Sequence, residues 1–152
     1  MTDTLRFELI EDRAGPEVEA IRAGLEAHRT RALGFAARSQ PLCLVHRDSQ
    51  GHVQAGLVGE VVLSWLYVEK FWVDESLRGQ GIGSGILAQA EEAARARGAV
   101  GVHLNTSSFQ APEFYKRQGY VSIGGLAGRP EGHARYWFAK RFDGQDPRAR
   151  EI

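Results

Sequence analysis

The chain has little cysteine, no excess charge and no long apolar run, and each of these absences narrows its class. A single cysteine, Cys43, rules out an internal disulfide framework and favours a reducing compartment. With 19 basic and 19 acidic residues the formal net charge is zero, so no global field attracts nucleic acid or an anionic membrane. No stretch reaches the roughly 18 apolar residues of a membrane span, and the polar start, Met1 to Phe7, is unlike a signal peptide. We therefore expect a cytoplasmic protein that binds neither nucleic acid nor membrane.

Glycine, by contrast, is concentrated in one short stretch, where four glycines alternate with larger residues from Arg78 to Gly85. The apolar and aromatic run before it, Leu66 to Val73, is typical of a strand, and the residues from Ile82 to Ala94 repeat at helical spacing. A strand that turns into a helix through glycines suits a phosphate, because the first helical turn has unpaired N–H groups and a partial positive charge. Arg78 adds a cation at the rim of this glycine loop.

Other interpretations of the glycine loop differ in what should follow it. A Walker loop needs Lys and then Ser or Thr after its last glycine, and Ile86 and Leu87 stand there instead. A dinucleotide fingerprint needs an acidic residue about 20 residues further on, where Leu104 and Asn105 occur. A nucleoside triphosphate and a dinucleotide are therefore both disfavoured as ligands of the glycine loop. On this stretch alone, a tight turn without any ligand remains open.

Hydrophobic periodicity predicts a mixed sheet with helices in one domain. Alternation over Leu5 to Ile10 predicts a first strand, and Pro16 begins a helix that ends before Gly34. The turn-rich stretch Asp48 to His52 predicts a hairpin between its flanking apolar runs. Later strands are predicted at 101–105, 120–123 and 134–139.

Two motifs carry a resemblance to a known family. Arg78, Gly81 and Gly83 match the pattern Arg/Gln-x-x-Gly-x-Gly/Ala, which resembles the pyrophosphate loop of the Gcn5-related N-acetyltransferase (GNAT) superfamily. Ala111 to Tyr120 resembles that family's A-x-x-F-Y-x-x-x-G-F/Y segment, and the resemblance covers about residues 53 to 142. It implies acetyl-coenzyme A as the co-substrate.

The resemblance also implies the fold. The GNAT fold is α/β, with a mixed, mostly antiparallel sheet of about six to seven strands flanked by about four helices. Its fourth and fifth strands splay apart, and the pantetheine arm lies between them. We expect one such domain over residues 1–152, with a polar and disordered tail at 143–152. The residues implied to bind acetyl-coenzyme A are Phe71, Trp72, Val73, Arg78, Gly79, Gln80, Gly81, Ile82, Gly83, Ser84, Asn105 and Ser108.

Acetyl transfer to an amine requires a group that accepts the ammonium proton and a group that protonates the departing thiolate. Glu69 is the candidate base, because its strand resembles the acidic strand of the spermidine/spermine acetyltransferases, where a glutamate at the matching position is proposed as a base. Strand alternation predicts that Glu69 shares one face with Tyr67, Phe71 and Val73. The alternative is that Glu69 meets solvent or pairs with Lys70. By resemblance Tyr115 is the general acid, the alternative being that it only packs its ring.

Two positions depart from the family pattern. Ser108 stands seven residues before Tyr115, where many members have Asn, and Gln110 replaces a frequent Arg. These departures leave the local hydrogen bonds at the cofactor undefined.

The acceptor is the least defined part of the prediction. Family pockets are built from segments that here contain many basic side chains, which favour an acceptor with a carboxylate or phosphate beside its amine unless they are only solvated surface. Those segments include Phe35 and the basic residues His28, Arg29, Arg38, Arg129, His133 and Arg135.

The sequence thus predicts an N-acetyltransferase that acts on a primary amine of a small molecule, without a metal. Direct attack in a ternary complex is expected, since Cys43 is remote from the motifs. A protein lysine or N-terminal acetyltransferase, and a non-catalytic acyl-coenzyme A sensor, are the alternatives. A homodimer stays open.

Overall fold

The computed structural model describes residues 4–150, in two compact units that divide after Ala37. The first unit contains one helix, α1 (Pro16–Leu33), which begins at a proline, as predicted. Gly34 ends α1 in the left-handed conformation with φ 80°, and its N–H donates to the Thr30 carbonyl. None of the residues of α1 is buried. The outermost residues of the predicted domain and tail, 1–3 and 151–152, lie outside the described residues.

The predicted first strand, Leu5 to Ile10, is wrong. This segment has no regular structure, and Leu5 and Phe7 are 83% and 91% exposed. Alternation defines two faces of a strand, but a strand also needs a neighbouring edge to receive its backbone hydrogen bonds. The helix count is also lower than expected, because the described residues form three α-helices and a short 3₁₀ turn, Glu75–Leu77.

The second unit is built on a six-stranded sheet. Its strands run in the spatial order β1-β2-β3-β4-β6-β5, and only the β3–β4 pair is parallel. This mixed α/β architecture confirms the predicted fold class. The strands are β1 (Gln40–Arg47), β2 (Val53–Val62), β3 (Trp65–Val73), β4 (Gly101–Ser107), β5 (Val121–Ala127) and β6 (Ala134–Arg141), and the helices are α2 (Ile82–Ala96) and α3 (Pro112–Arg117).

The core lies between one face of the sheet and the two helices of this unit. We call this side the helix face, and the other side the opposite face. Alternation along each strand decides which side chains enter the core. The largest fully buried side chains are Leu57, Leu66, Leu87, Val102, Leu104 and Phe138.

Strands β3 and β4 pair only at their beginnings. Their register contains three residue pairs, which end at Tyr67 opposite His103. Beyond that point the second half of β3 and the end of β4 have no pairing with each other, so the two strands splay. These are the fourth and fifth strands of the predicted order, and the splay confirms what the resemblance implied.

A partly buried ion pair fixes α2 against β6 and the end of α3. Lys140 Nζ donates to both Glu91 oxygens at 3.1 Å and to the Gln118 carbonyl at 3.0 Å. The Tyr120 hydroxyl donates to the same Glu91 carboxylate at 3.2 Å. Burial, followed by the negative charge and hydrogen bond of Glu91, raises the pKa of Tyr120. This cluster therefore joins the helix that follows the glycine loop to the helix that carries Tyr115.

We expect Glu91→Ala to lower the free energy of unfolding by about 2–3 kcal/mol, because it leaves the Lys140 ammonium partly buried without its carboxylate. Urea denaturation measures this change. Glu92→Ala is the matched control: its exposed carboxylate only reaches Arg95 at 4.0 Å, so it should change stability by less than about 0.5 kcal/mol. Equal effects of the two substitutions would contradict a structural role for the cluster.

Candidate active site

The glycine loop leaves β3 through a tight turn. Asp74 caps the 3₁₀ turn, since its carboxylate accepts from the Ser76 N–H and hydroxyl, and these bonds hold the Asp74 pKa below its usual value. Gly79 and Gly81 both have φ 79°, a left-handed conformation that glycine adopts without strain. Gly81 is the N-cap of α2. At these two of the four predicted loop glycines, the backbone conformation itself favours glycine.

The start of α2 presents unpaired backbone donors. The N–H groups of Ile82, Gly83 and Ser84 reach no carbonyl among residues 4–150, and the first helical bond runs from Gly85 N–H to Gly81 at 3.0 Å. The first turn of α2 contains no acidic residue. The Ser84 hydroxyl donates to the Gly81 carbonyl at 3.1 Å. This arrangement of donors suits an anion such as a pyrophosphate.

Other predicted loop residues lie around this turn. The Gln80 side chain donates to the Ser76 carbonyl at 3.2 Å, which steadies the loop, and Arg78 is exposed at its rim. On the helix face, a side chain added at Gly83 would meet Val73 at 3.5 Å and Phe114 at 3.6 Å. The glycine loop is thus packed directly against the end of β3 and against α3.

A β-bulge in β3 overturns the expected face of Glu69. Val68 pairs with Gly59 and Lys70 pairs with Val58, which leaves Glu69 as the extra residue. Tyr67 stacks on His103 at 5.1 Å, whereas Phe71 packs on Phe114 at 6.0 Å on the helix face. Tyr67 and Phe71 therefore lie on different faces, and the prediction that both share one face with Glu69 is wrong. The bulge lies where the splay between β3 and β4 begins.

The Glu69 side chain is exposed and contacts its neighbour. Lys70 Nζ donates to Glu69 Oε1 at 2.8 Å. The Glu69 side chain is 54% exposed and the Lys70 side chain is 73% exposed. The hydrogen bond and the negative charge of Glu69 raise the Lys70 pKa. This pairing is the alternative that the sequence left open. A base role for Glu69 remains a prediction, and it requires the carboxylate to exchange Lys70 for the acceptor amine or a water.

Tyr115 is held by aromatic rings on three sides. Its ring lies 5.2 Å from Phe114, 5.8 Å from Tyr120 and 6.1 Å from Phe138. Burial raises the pKa of the Tyr115 phenol to about 12, so the phenol keeps its proton at neutral pH. Tyr120 uses its hydroxyl to bind Glu91, but no hydrogen bond joins the Tyr115 hydroxyl to the described residues. The ring packing serves the fold, and the protonated hydroxyl is available to donate.

The two positions that depart from the family pattern, Ser108 and Gln110, bond to backbone groups near the end of β4. Ser108 N–H donates to the Ala134 carbonyl at 2.8 Å, and the Ser108 hydroxyl accepts from the Ala134 N–H at 2.9 Å. The Gln110 side chain accepts from the Ser107 N–H at 3.1 Å. Asn105 lies on β4 opposite Trp137, beyond the last pair that joins β4 to β3. Ser108 thus fastens the end of β4 to the start of β6, and Gln110 stabilises the turn that follows β4.

The basic residues predicted near the acceptor are divided between the two units. His28 and Arg29 belong to α1 in the first unit. In the second unit, Arg129 and His133 lie in the β5–β6 loop, where the His133 ring meets the Phe109 ring at 5.2 Å. Arg135 is in β6, and its Nε is buried without a hydrogen-bond partner among the described residues.

An open apolar pocket of about 320 Å³ lies at the other end of β3, away from the glycine loop. Trp65 and His103 line it, and burial lowers the His103 pKa. It contains no predicted site residue, and we assign it no role in the chemistry. Among the helices described over residues 4–150, none combines the length and the apolar composition of a membrane span.

Sequence reasoning missed three features of this site. The bulge at Glu69 depends on the partner strand, and the Glu91–Lys140 pair joins residues 49 positions apart. Lys140 does carry a weak signal, since it is a charged residue at the end of an apolar strand. The unpaired Nε of Arg135 has no signature in the sequence at all.

Comparison with known proteins agrees with this geometry. Residues 38–122 match the acetyltransferase (GNAT) domain family. The chain is 38% identical over 135 residues to an acetyltransferase of Agrobacterium fabrum, which covers 88% of this chain and 98% of that protein. It is 33% identical over 145 residues to the blasticidin-S acetyltransferase of Streptomyces morookaense, which covers 90% of this chain and 96% of that protein.

Solved structures share the same fold. A crystal structure assigned as an acetyltransferase from Agrobacterium tumefaciens superposes with a TM-score of 0.81 at 37% identity, over 91% of this chain and all of that one. A structure from Bacillus anthracis, assigned as a streptothricin acetyltransferase and solved with acetyl coenzyme A, superposes at 0.60 with 22% identity, over 68% of this chain and 63% of that one. The sequence matches and the splayed sheet agree, and the chain belongs to the GNAT family of acetyltransferases.

Proposed function

We propose that this acetyltransferase transfers an acetyl group from acetyl-coenzyme A to a primary amine of a small molecule, by direct attack in a ternary complex. The observation that carries the proposal is the glycine loop, where unpaired N–H groups at the start of α2 adjoin the splay between β3 and β4. The residues present fit the co-substrate, since the N–H groups suit its pyrophosphate and the unpaired strand edges suit its amides. Bound acetyl-coenzyme A supplies the acetyl group as an activated thioester.

Two side chains carry out the proton transfers of the reaction. Glu69 accepts the proton of the attacking ammonium, directly or through a water, so that the nitrogen lone pair is free to form the amide bond. Tyr115 donates its phenolic proton to the sulfur as the carbon–sulfur bond breaks, because its raised pKa keeps that proton in place. The nitrogen loses a second proton as the amide forms, which restores the phenol of Tyr115, and the proton held by Glu69 passes to solvent, so that each turnover releases one proton.

A small-molecule acceptor is favoured by one relative. The Streptomyces morookaense protein is named for blasticidin-S, and its match extends over 90% of this chain. We expect the same class of acceptor here, rather than a protein lysine or an N-terminus. A cytoplasmic location in the cell remains a prediction from the sequence.

A thiol-release assay with acetyl-coenzyme A and a panel of amines tests the proposed function. We expect amine-dependent release of coenzyme A for at least one small amine and a much slower release with lysine peptides. Tight binding of acetyl-coenzyme A by calorimetry, together with no release above background, would instead favour the sensor.

For the base, we expect Glu69→Gln to lower kcat on the order of 100-fold and to change the rising limb of the pH–rate profile, since the amide cannot accept the proton. The profile is measured at saturating acetyl-coenzyme A. Glu113→Gln is the matched control, because Glu113 is an exposed glutamate bonded to Lys116 at 3.1 Å, much as Glu69 is bonded to Lys70. An unchanged profile in Glu69→Gln would remove Glu69 from the mechanism.

A further inference from the structure

Arg135 is a charged side chain that the fold leaves without a partner. It is partly buried at the start of β6, and its Nε is buried without a hydrogen-bond partner among the described residues. A guanidinium is charged at every accessible pH and has only donors, so a buried and unpaired N–H on it is costly. Such a cost is offset when an anion binds in place.

The position of Arg135 is defined by the regular β4–β6 ladder. Arg135 pairs with Ser107, the last residue of β4, and Trp137 pairs with Asn105. In an antiparallel ladder, residues directly opposite each other lie on the same side of the sheet. Arg135 therefore lies at the end of β4 that is splayed away from β3.

Alternation shows that Arg135 lies on the opposite face. Phe138 is 1% exposed in the core, and Tyr136 packs against the same core, so both belong to the helix face. Arg135 and Trp137 occupy the alternate positions of β6 and therefore lie on the opposite face of the sheet. The glycine loop is packed on the helix face through Val73 and Phe114. The cation at Arg135 and the proposed phosphate site are thus on different faces of the sheet.

Arg135 forms no ion pair with a carboxylate of the described residues, whereas Arg141, further along the strand, does. Arg141 lies on the same strand and the same face, and its guanidinium bonds Asp143 at 3.0–3.3 Å. No carboxylate of the described residues plays that part for Arg135. One planar guanidinium matches one carboxylate, which it binds through two parallel N–H donors and neutralises.

We propose that Arg135 binds a carboxylate of the acceptor, so that the substrate class is amines that also carry a carboxylate. The inference rests on the proposed function, because it assigns Arg135 to the acceptor side of that same cleft. It makes Arg135 a determinant of specificity, while Glu69 and Tyr115 handle the protons. The carboxylate would dock on the opposite face, beside Trp137 and Asn105.

The test uses matched acceptor pairs of different length: glycine, β-alanine and 4-aminobutyrate, with glycinamide, β-alaninamide and 4-aminobutyramide. Binding of each to the full chain saturated with coenzyme A is measured by calorimetry, which requires no turnover, and thiol release is measured in parallel. We expect at least one acid to bind about 10- to 100-fold more tightly than its amide. Arg135→Met should abolish that preference and leave acetyl-coenzyme A affinity unchanged.

Two further variants separate charge from packing. Arg135→Lys keeps the charge without the planar fork and should retain part of the preference, and it also serves if Arg135→Met fails to fold. Arg141→Met, the control on the same strand, should keep the whole preference. Acids that bind no better than their amides, a preference that persists in Arg135→Met, or a loss of acetyl-coenzyme A affinity in that variant would each overturn the inference.

The readouts also distinguish this inference from the proposed function. Thiol release that is equally efficient with the acids and their amides, and that Arg135→Met does not change for either, would leave the acetyltransferase activity standing and overturn the carboxylate site. Selective binding of an acid that depends on Arg135, without any thiol release, would support the carboxylate site and count against the catalysis.

Discussion

Tyr115→Phe is expected to lower kcat by about 10²- to 10⁴-fold while acetyl-coenzyme A affinity stays within about twofold of the original. The substitution removes only the hydroxyl, and the ring keeps its contacts with Phe114, Tyr120 and Phe138. Because burial raises the Tyr115 pKa to about 12, the phenol remains a proton donor through the neutral and mildly alkaline range. Steady-state kinetics with calorimetric binding of acetyl-coenzyme A measures both effects.

Tyr120→Phe is the matched control for this prediction. Its ring is 5.8 Å from that of Tyr115, but its hydroxyl is bonded to Glu91, away from the proposed chemistry. We expect this variant to lose some stability and to keep most of its kcat. If Tyr115→Phe were as active as Tyr120→Phe, the role of Tyr115 would be reduced to packing.

Gly81→Asp is expected to weaken acetyl-coenzyme A binding by on the order of 100-fold or more. It places a negative charge at the N-cap of α2, beside the unpaired N–H groups that are proposed to hold the pyrophosphate. The same substitution strains the backbone, because Gly81 has φ 79°. Titration of acetyl-coenzyme A into the purified variant gives the loss directly.

Gly81→Asn separates the charge from the strain. Asparagine has nearly the shape of aspartate and tolerates the left-handed conformation about as well, but it is neutral. We expect it to lose about tenfold in affinity, so the difference between the two variants reports the electrostatic part. Equal losses would mean that the loop is only a tight turn, which is the interpretation that the glycines alone left open.

Much of the fold was predictable because its signals are local. The hairpin around Asp48 to His52, the helix Pro16–Leu33 and the strand before the glycine loop all form where turn residues and periodicity placed them. Gly79 and Gly81 have the left-handed φ that makes glycine necessary, and the resemblance correctly implied the splay that follows Tyr67. The family, and with it the acetyltransferase class, was therefore within reach of the sequence.

The parts that failed depend on partners distant in sequence. The alternation from Leu5 to Ile10 indicated a strand, but this segment has no regular structure. Alternation through Glu69 indicated that its strand keeps the same side chains on one face. In the structure, Val58 and Gly59 of β2 pair with Lys70 and Val68, so Glu69 is the extra residue of a bulge in β3. Whether Arg135 has a partner depends on every side chain that packs around it, which no local pattern encodes.

If acetyl passes from acetyl-coenzyme A directly to a small amine in the splay between β3 and β4, no acetylated protein forms on the way. The most direct measurement is mass spectrometry of the protein and the products after a single turnover with isotopically labelled acetyl-coenzyme A. We predict that the label appears as an amide on the amine and never on the protein, and that its appearance requires the amine and intact Tyr115. A labelled protein, or unconsumed acetyl-coenzyme A bound with every amine offered, would contradict the account.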